Sequence, residues 1–97
     1  MPYIKSSSWF CSRVESLEKS MYLLAVSTLK NDYDAEDAMQ SAILKAYENL
    51  DQLRAADKFK PWLFRILINE CYRILRVDRH HLSFEELEED NTLQPLE

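Results

Sequence analysis

Glycine is absent from this chain of 97 residues, and proline occurs only three times. Without glycine there is no glycine-rich phosphate loop and no hairpin turn of the kind that needs a positive φ. Most all-β architectures are disfavoured for the same reason. Cysteine is nearly as scarce: Cys11 and Cys71 are sixty residues apart and fit neither a metal-ligand spacing nor a disulfide framework. A reduced, cytoplasmic setting is the expected one. No apolar run approaches the roughly eighteen residues needed to span a bilayer, and the first residues lack the apolar stretch of a signal peptide. The one histidine pair, His80-His81, cannot turn both rings to a single metal from a regular helix, and no other ligand lies at suitable spacing. Both histidines follow the helical body, so no Ser-His-Asp order makes sense. Neither an enzyme nor a metal or cofactor site is expected.

What the chain does have is enough apolar sequence, 46 %, for one compact helical domain. The net charge of −5 speaks against nucleic-acid binding until its distribution is read. Residues 1–53 carry five Lys/Arg and eight Asp/Glu; residues 54–80 carry seven and three; residues 81–97 carry none and six. A basic segment between acidic ones is a local electrostatic footprint.

Helical periodicity organises the rest. Residues 1–11 read as a leader. A first helix is expected over residues 12–30, where Val14, Leu17, Met21, Leu24, Ala25 and Leu29 recur at three- and four-residue steps. A second is expected over residues 35–53, N-capped by Asp34, with Glu36 and Asp37 in the favoured first turn. Its apolar stripe is Ala35, Ala38, Met39, Ala42, Ile43, Ala46, Tyr47 and Leu50, and the alanines permit close approach of a neighbour. Residues 54–58 connect to a third helix over residues 59–77, with Pro61 in its first turn. That helix is apolar around much of its circumference, as a central helix touching two neighbours would be. Residues 81–97 read as an acidic linker or tail, in which Ser83 caps a short helix or merely opens a linker. The expected fold is all-α, a small antiparallel bundle of three main helices with its domain over residues 12–80.

Two polar stripes stand outside this core. On the second helix, Glu36, Asp37, Gln40, Ser41, Leu44 and Lys45 face away from the apolar stripe. Acidic residues there are ordinary capping, but Gln40 and an exposed Leu44 extend the patch as a protein-docking surface would. On the third helix, Trp62, Arg65, Asn69, Arg73 and Arg76 fall on one side, flanked by Tyr72, with Lys58 and Lys60 upstream. Arginine contacts phosphates and base edges, tryptophan and tyrosine stack on unpaired bases, and asparagine reads a base edge. The same spacing also fits a solvated polar face with Trp62 half-buried in the core.

Asp34-Ala-Glu-Asp-Ala-Met-Gln, Ile43-Leu-Lys-Ala-Tyr and Phe59-Lys-Pro-Trp-Leu-Phe-Arg-Ile, followed by Asn69 and Leu75-Arg, together resemble the second conserved region of bacterial sigma factors, the extracytoplasmic-function group above all. The resemblance covers roughly residues 13–80. It implies a domain that docks on the clamp coiled coil of the largest RNA polymerase subunit and that melts and captures the promoter minus-ten element, mainly as single-stranded non-template DNA. Carried over, the polymerase contacts are Glu36, Asp37, Gln40, Ser41 and Leu44. The DNA contacts are Arg54 in the connection and Lys58, Lys60, Trp62, Arg65, Asn69, Tyr72, Arg73 and Arg76. An anti-sigma factor is a further expected partner. The chain departs from the family pattern at Ser41, where Glu is usual, in a connection without glycine, and at Pro61, where Thr or Ser is common. The family's second domain, a helix-turn-helix that reads the minus-thirty-five element, has no counterpart in this sequence. A competing expectation is a helical protein-interaction module, an anti-sigma target or adaptor, that does not read DNA.

Overall fold

The computed structural model describes residues 6–82, with side chains described as far as Arg76. It is all-α: three helices joined by a tight turn and by two short 3₁₀ segments, with no strand among the described residues. Helix α1 spans Ser7–Leu29, α2 spans Asp32–Glu48 and α3 spans Phe59–Leu82. Each packs on the other two. No described helix is long and apolar enough to cross a membrane.

Helix α1 begins five residues earlier than its periodicity suggests. Ser6 caps it, its Oγ accepting from the Trp9 N–H at 3.2 Å, and Phe10, assigned to the leader by sequence, is in the core. The reason is tertiary: Phe59 at the start of α3 meets Trp9 and Phe10 edge-on, with ring centroids 5.2 and 5.8 Å away. Phe10 also tilts against Tyr47 of α2 at 5.2 Å. Such pairs contribute about 0.5–1.5 kcal/mol each beyond area burial, so rings from three helices close this end of the bundle.

The other end of α1 terminates at Lys30, which adopts φ 58°, ψ 31° and donates its N–H to the Val26 carbonyl at 2.7 Å. This is the left-handed helix stop that glycine usually fills. In a chain without glycine a lysine takes it, at a conformational cost of about 1 kcal/mol. Asn31 then caps α2, its Oδ1 accepting from the Asp34 N–H at 2.8 Å. The cap is thus Asn31 and not Asp34, and Asp32 and Asp34 lie in the first turn. Tyr22 Oη donates to Asp32 Oδ1 at 2.7 Å, which ties α1 to this start. The hydrogen bond, with the nearby carboxylate charges, pushes the Tyr22 phenol above its ordinary pKa.

Along α2, Ala35, Ala38, Ala42 and Ala46 are all fully buried. Their methyl groups let the helix lie close to both neighbours. The helix ends at Glu48, short of the expected residue 53, where Asn49 Nδ2 donates to the Lys45 carbonyl at 2.8 Å. A 3₁₀ turn, Leu50–Gln52, follows and buries Leu50 and then Leu53. A second, Ala56–Lys58, leads into α3. Helix α3 runs to Leu82, past the expected residue 77. Its buried line is Phe59, Leu63, Leu67, Glu70, Cys71 and Ile74, the three- and four-residue steps of a core face. The short helix considered at Ser83 lies outside the described residues.

Candidate docking and nucleic-acid interfaces

Glu70 interrupts the apolar line of α3. Only 4 % of it is exposed, yet it keeps its charge by two contacts: Lys45 Nζ of α2 at 3.1 Å and Arg73 Nε, one turn on, at 2.9 Å. Burial pushes the carboxyl pKa up, but the hydrogen bonds from Arg73 and Lys45 and their positive charges outweigh it and hold Glu70 below the usual carboxylate range. The neighbouring Cys71 thiol is pushed up by burial and by the Glu70 charge. A thiol so held is unreactive.

The first outward surface is on α2. Glu36, Gln40 and Leu44 lie one helical turn apart in a single row. Leu44 is 58 % exposed, an uncompensated apolar side chain. This row forms one wall of an open groove of about 860 Å³ between α1 and α2. Phe10, Met39, Ile43 and Tyr47 give it an apolar lining, and Glu18, Lys19 and Glu36 add charge. Tyr47 is on the expected core stripe, but it is 47 % exposed and its hydroxyl is 2.7 Å from Ser7 Oγ across the groove mouth. Asp37 and Ser41 belong to the adjacent row and do not line the groove; Asp37 is exposed and Ser41 partly so. The next residue of that row, Lys45, is the one that reaches Glu70.

The opposite wall of the groove was not legible in the sequence. Ser7, Cys11, Glu18 and Tyr22 of α1 supply it. Glu18 and Tyr22 fall within the expected first helix, but Ser7 and Cys11 join their row only once the helix is known to start at Ser7.

The second surface is the outer side of α3 and the connection before it. Arg54, Lys58, Lys60, Arg65, Asn69, Tyr72, Arg73 and Arg76 are all exposed. Trp62 is half-buried, its ring 6.0 Å from that of Phe59, so it belongs to the aromatic cluster as well as to the surface. Lys60 Nζ lies 5.8 Å from the Phe64 ring, a cation–π contact. Arg73 is not free: Glu70 holds it. Among the described residues, no carboxylate pairs with Arg54, Lys58, Arg65 or Arg76.

One more cation was missed by sequence reasoning. Arg13 of α1 stacks on the aromatic cluster, its guanidinium carbon 5.8 Å from the Trp9 ring and 5.9 Å from the Phe59 ring. Its Nε is buried without a hydrogen-bond partner. It places positive charge beside the start of α3. No periodic signal marks it, because it depends on α1 meeting α3.

The bundle thus carries an open, largely apolar groove on one side and an aromatic, cationic row on another, and comparison with known proteins gives the chain a class. The sigma-70 region 2 family matches residues 13–81, and the chain belongs to that family. Relatives named as extracytoplasmic-function sigma factors are among the proteins it resembles. It is 36 % identical over 70 residues to the ECF RNA polymerase sigma factor SigW of Bacillus subtilis, a match covering 72 % of this chain and 35 % of that protein. It is 40 % identical over 58 residues to a probable RNA polymerase sigma factor of Haemophilus influenzae, covering 60 % of this chain and 30 % of the relative. With the ECF RNA polymerase sigma factor SigM of Mycobacterium tuberculosis it shares 33 % identity over 63 residues, 65 % of this chain and 32 % of that one. The chain spans about a third of the length of the curated relatives it matches. No solved structure matches it significantly.

Proposed function

We propose that this domain serves transcription initiation, docking on the RNA polymerase clamp coiled coil through α2 and capturing the non-template strand of the promoter minus-ten element on α3. The observation that carries the reading is the separation of the two surfaces. The α2 row of Glu36, Gln40 and Leu44 opens onto an apolar groove, while Trp62 and four cations that have no carboxylate partner among the described residues line the connection and α3. A helix of the polymerase clamp lays its apolar residues in the groove and its basic ones against Glu36 and Asp37. Gln40 and Ser41 hydrogen-bond along it. On α3, Arg54, Lys58, Lys60, Arg65 and Arg76 follow the phosphates. Trp62 and Tyr72 stack on extruded bases, and Asn69 reads a base edge. Arg73 serves both the strand and Glu70.

The test is a titration against fluorescent single strands carrying candidate minus-ten sequences, with and without a clamp coiled-coil fragment. Trp62→Ala is expected to weaken strand binding by about 1–3 kcal/mol, the worth of one base stack. Asp37→Lys with Gln40→Ala is expected to abolish clamp binding. Unchanged clamp affinity in that double variant would remove the proposed docking surface.

A second reading, a protein-interaction module without strand reading, draws support from one pair of observations. The groove is open and apolar, whereas Trp62 is half-buried and Arg73 is engaged by Glu70. Tight clamp binding with no affinity for any strand, at low salt, would favour it.

A further inference from the structure

We propose that Arg13 of α1 binds a phosphate of the captured single strand, so that the nucleic-acid surface continues from α3 across the aromatic cluster onto α1. The proposal rests on the strand reading given above and adds a contact on an element which that reading leaves out. What carries it is how Arg13 is held. Its guanidinium carbon lies 5.8 Å from the Trp9 ring and 5.9 Å from the Phe59 ring, so two aromatic rings fix its position. Among the described residues its side chain makes no hydrogen bond and no ion pair. The Nε–H is buried without an acceptor, and a sealed, unsatisfied donor lowers stability. The terminal nitrogens are not sealed, and Arg13 is partly exposed. A guanidinium set in place by rings and not by a carboxylate keeps its outer donors for an anion arriving from solvent.

The surroundings choose the anion. Phe59 begins α3, with Lys58 before it and Lys60 after it. Trp62 packs on the same Phe59 ring at 6.0 Å, and Trp9 and Trp62 are both half-buried. Asp57 is the only carboxylate over residues 54–69, and it pairs with none of these cations among the described residues. Cations and tryptophan edges side by side fit a phosphodiester chain that carries bases. An acidic peptide would answer the cations alone. Arg13 also differs from the arginines of α3. Arg73 uses its Nε on Glu70, and Arg65 and Arg76 are exposed side chains that must be ordered on binding. Arg13 is already in place, so less is lost when the strand arrives.

The test is a titration of the full chain with a fluorescent single strand over a series of salt concentrations. Arg13→Met keeps an unbranched apolar stem against the rings and removes the charge and every donor. It is expected to weaken strand binding at low salt by about tenfold, one charge-assisted hydrogen bond, and to lower the salt slope by about 0.7, one phosphate. Urea unfolding is expected to show no loss of stability in this variant, because the sealed Nε–H is gone. Arg13→Gln is expected to lower the slope equally, which tests the contact even where one replacement disturbs the fold. Arg13→Lys keeps the charge and is expected to restore the slope, with part of the affinity lost for want of the planar fork. An Arg13 that only packs would shift unfolding and leave the slope alone. Arg65→Ala, on α3, is the reference. Unchanged affinity and slope in the Met and Gln variants, with Arg65→Ala weakened, overturns the α1 contact and leaves the α3 reading standing. Loss in those variants with Arg65→Ala unchanged keeps the α1 contact and counts against α3. No strand binding by the natural chain, even at low salt, overturns both.

Discussion

Removing the two cations around Glu70 is expected to cost more than removing Glu70 itself. Breaking a buried pair by deleting one partner typically costs about 3–5 kcal/mol, because a charge is left unpaired in the interior. Here the three charges are unequally placed. Glu70's side chain is 5 % exposed, while those of Lys45 and Arg73 are 53 % and 44 % exposed. In Glu70→Gln the orphaned cations turn into water, and the amide still accepts one hydrogen bond, so the loss is about 1–2 kcal/mol. In Lys45→Met with Arg73→Met the carboxylate has no escape, and the loss at neutral pH is about 3 kcal/mol or more. Urea unfolding followed by circular dichroism measures both. Acid titration sharpens the contrast. In the natural chain the folded pKa of Glu70 is depressed, so its contribution is present above the unfolded value of about 4.3 and disappears as pH falls through the folded one. In the double variant only the burial effect remains, the folded pKa rises, and stability should instead fall as pH increases through it. Two variants of equal stability, or a double variant with an unchanged pH slope, would refute the reasoning.

Three further outcomes are expected. Lys30→Gly should stabilise the domain by about 0.5–1 kcal/mol, since glycine occupies the left-handed stop without strain; thermal unfolding reads this directly. Phe10→Ala should cost about 3–5 kcal/mol, the loss of a side chain 3 % exposed between Tyr47 and Phe59; a loss below 1 kcal/mol would return this stretch to the role of a leader. Arg65→Ala should lower the salt slope of single-strand binding by about 0.7, one phosphate contact, with unfolding unchanged, whereas Arg73→Ala should also destabilise the fold because it strips Glu70 of a partner.

The bundle itself was legible because its signal is local. The stripes of α1, α2 and α3 appear in sequence at the helical repeat, and most of their residues are buried. The alanine row of α2 announced close packing, and the outward placement of Glu36, Asp37, Gln40 and Leu44 followed from the same period. What escaped was whatever depends on a partner distant in sequence. Phe10 belongs to the core only because Phe59 lies across from it. Arg13 is set by the same meeting of helices. Glu70 sits at a core register where a carboxylate looks like an error, and only Lys45 on another helix explains it. The cap of α2 was misplaced for a subtler reason: Asn31-Asp-Tyr-Asp offers three capping side chains in four residues, and periodicity does not choose among them.

The alanine row of α2 also sets where this sequence is free to drift. At Ala35, Ala38, Ala42 and Ala46 nearly every alternative is bulkier, and forcing extra methylenes into a filled contact costs about 1–3 kcal/mol. Glycine, the one smaller choice, gives up about 1 kcal/mol of helix propensity at each site. Four positions of one helix are therefore nearly frozen by volume alone. The rows that flank them, Glu36–Gln40–Leu44 on one side and Asp37–Ser41 on the other, carry no such constraint. Mutational latitude is thus concentrated on the outward rows, and a partner's preference can change there while the bundle beneath stays the same.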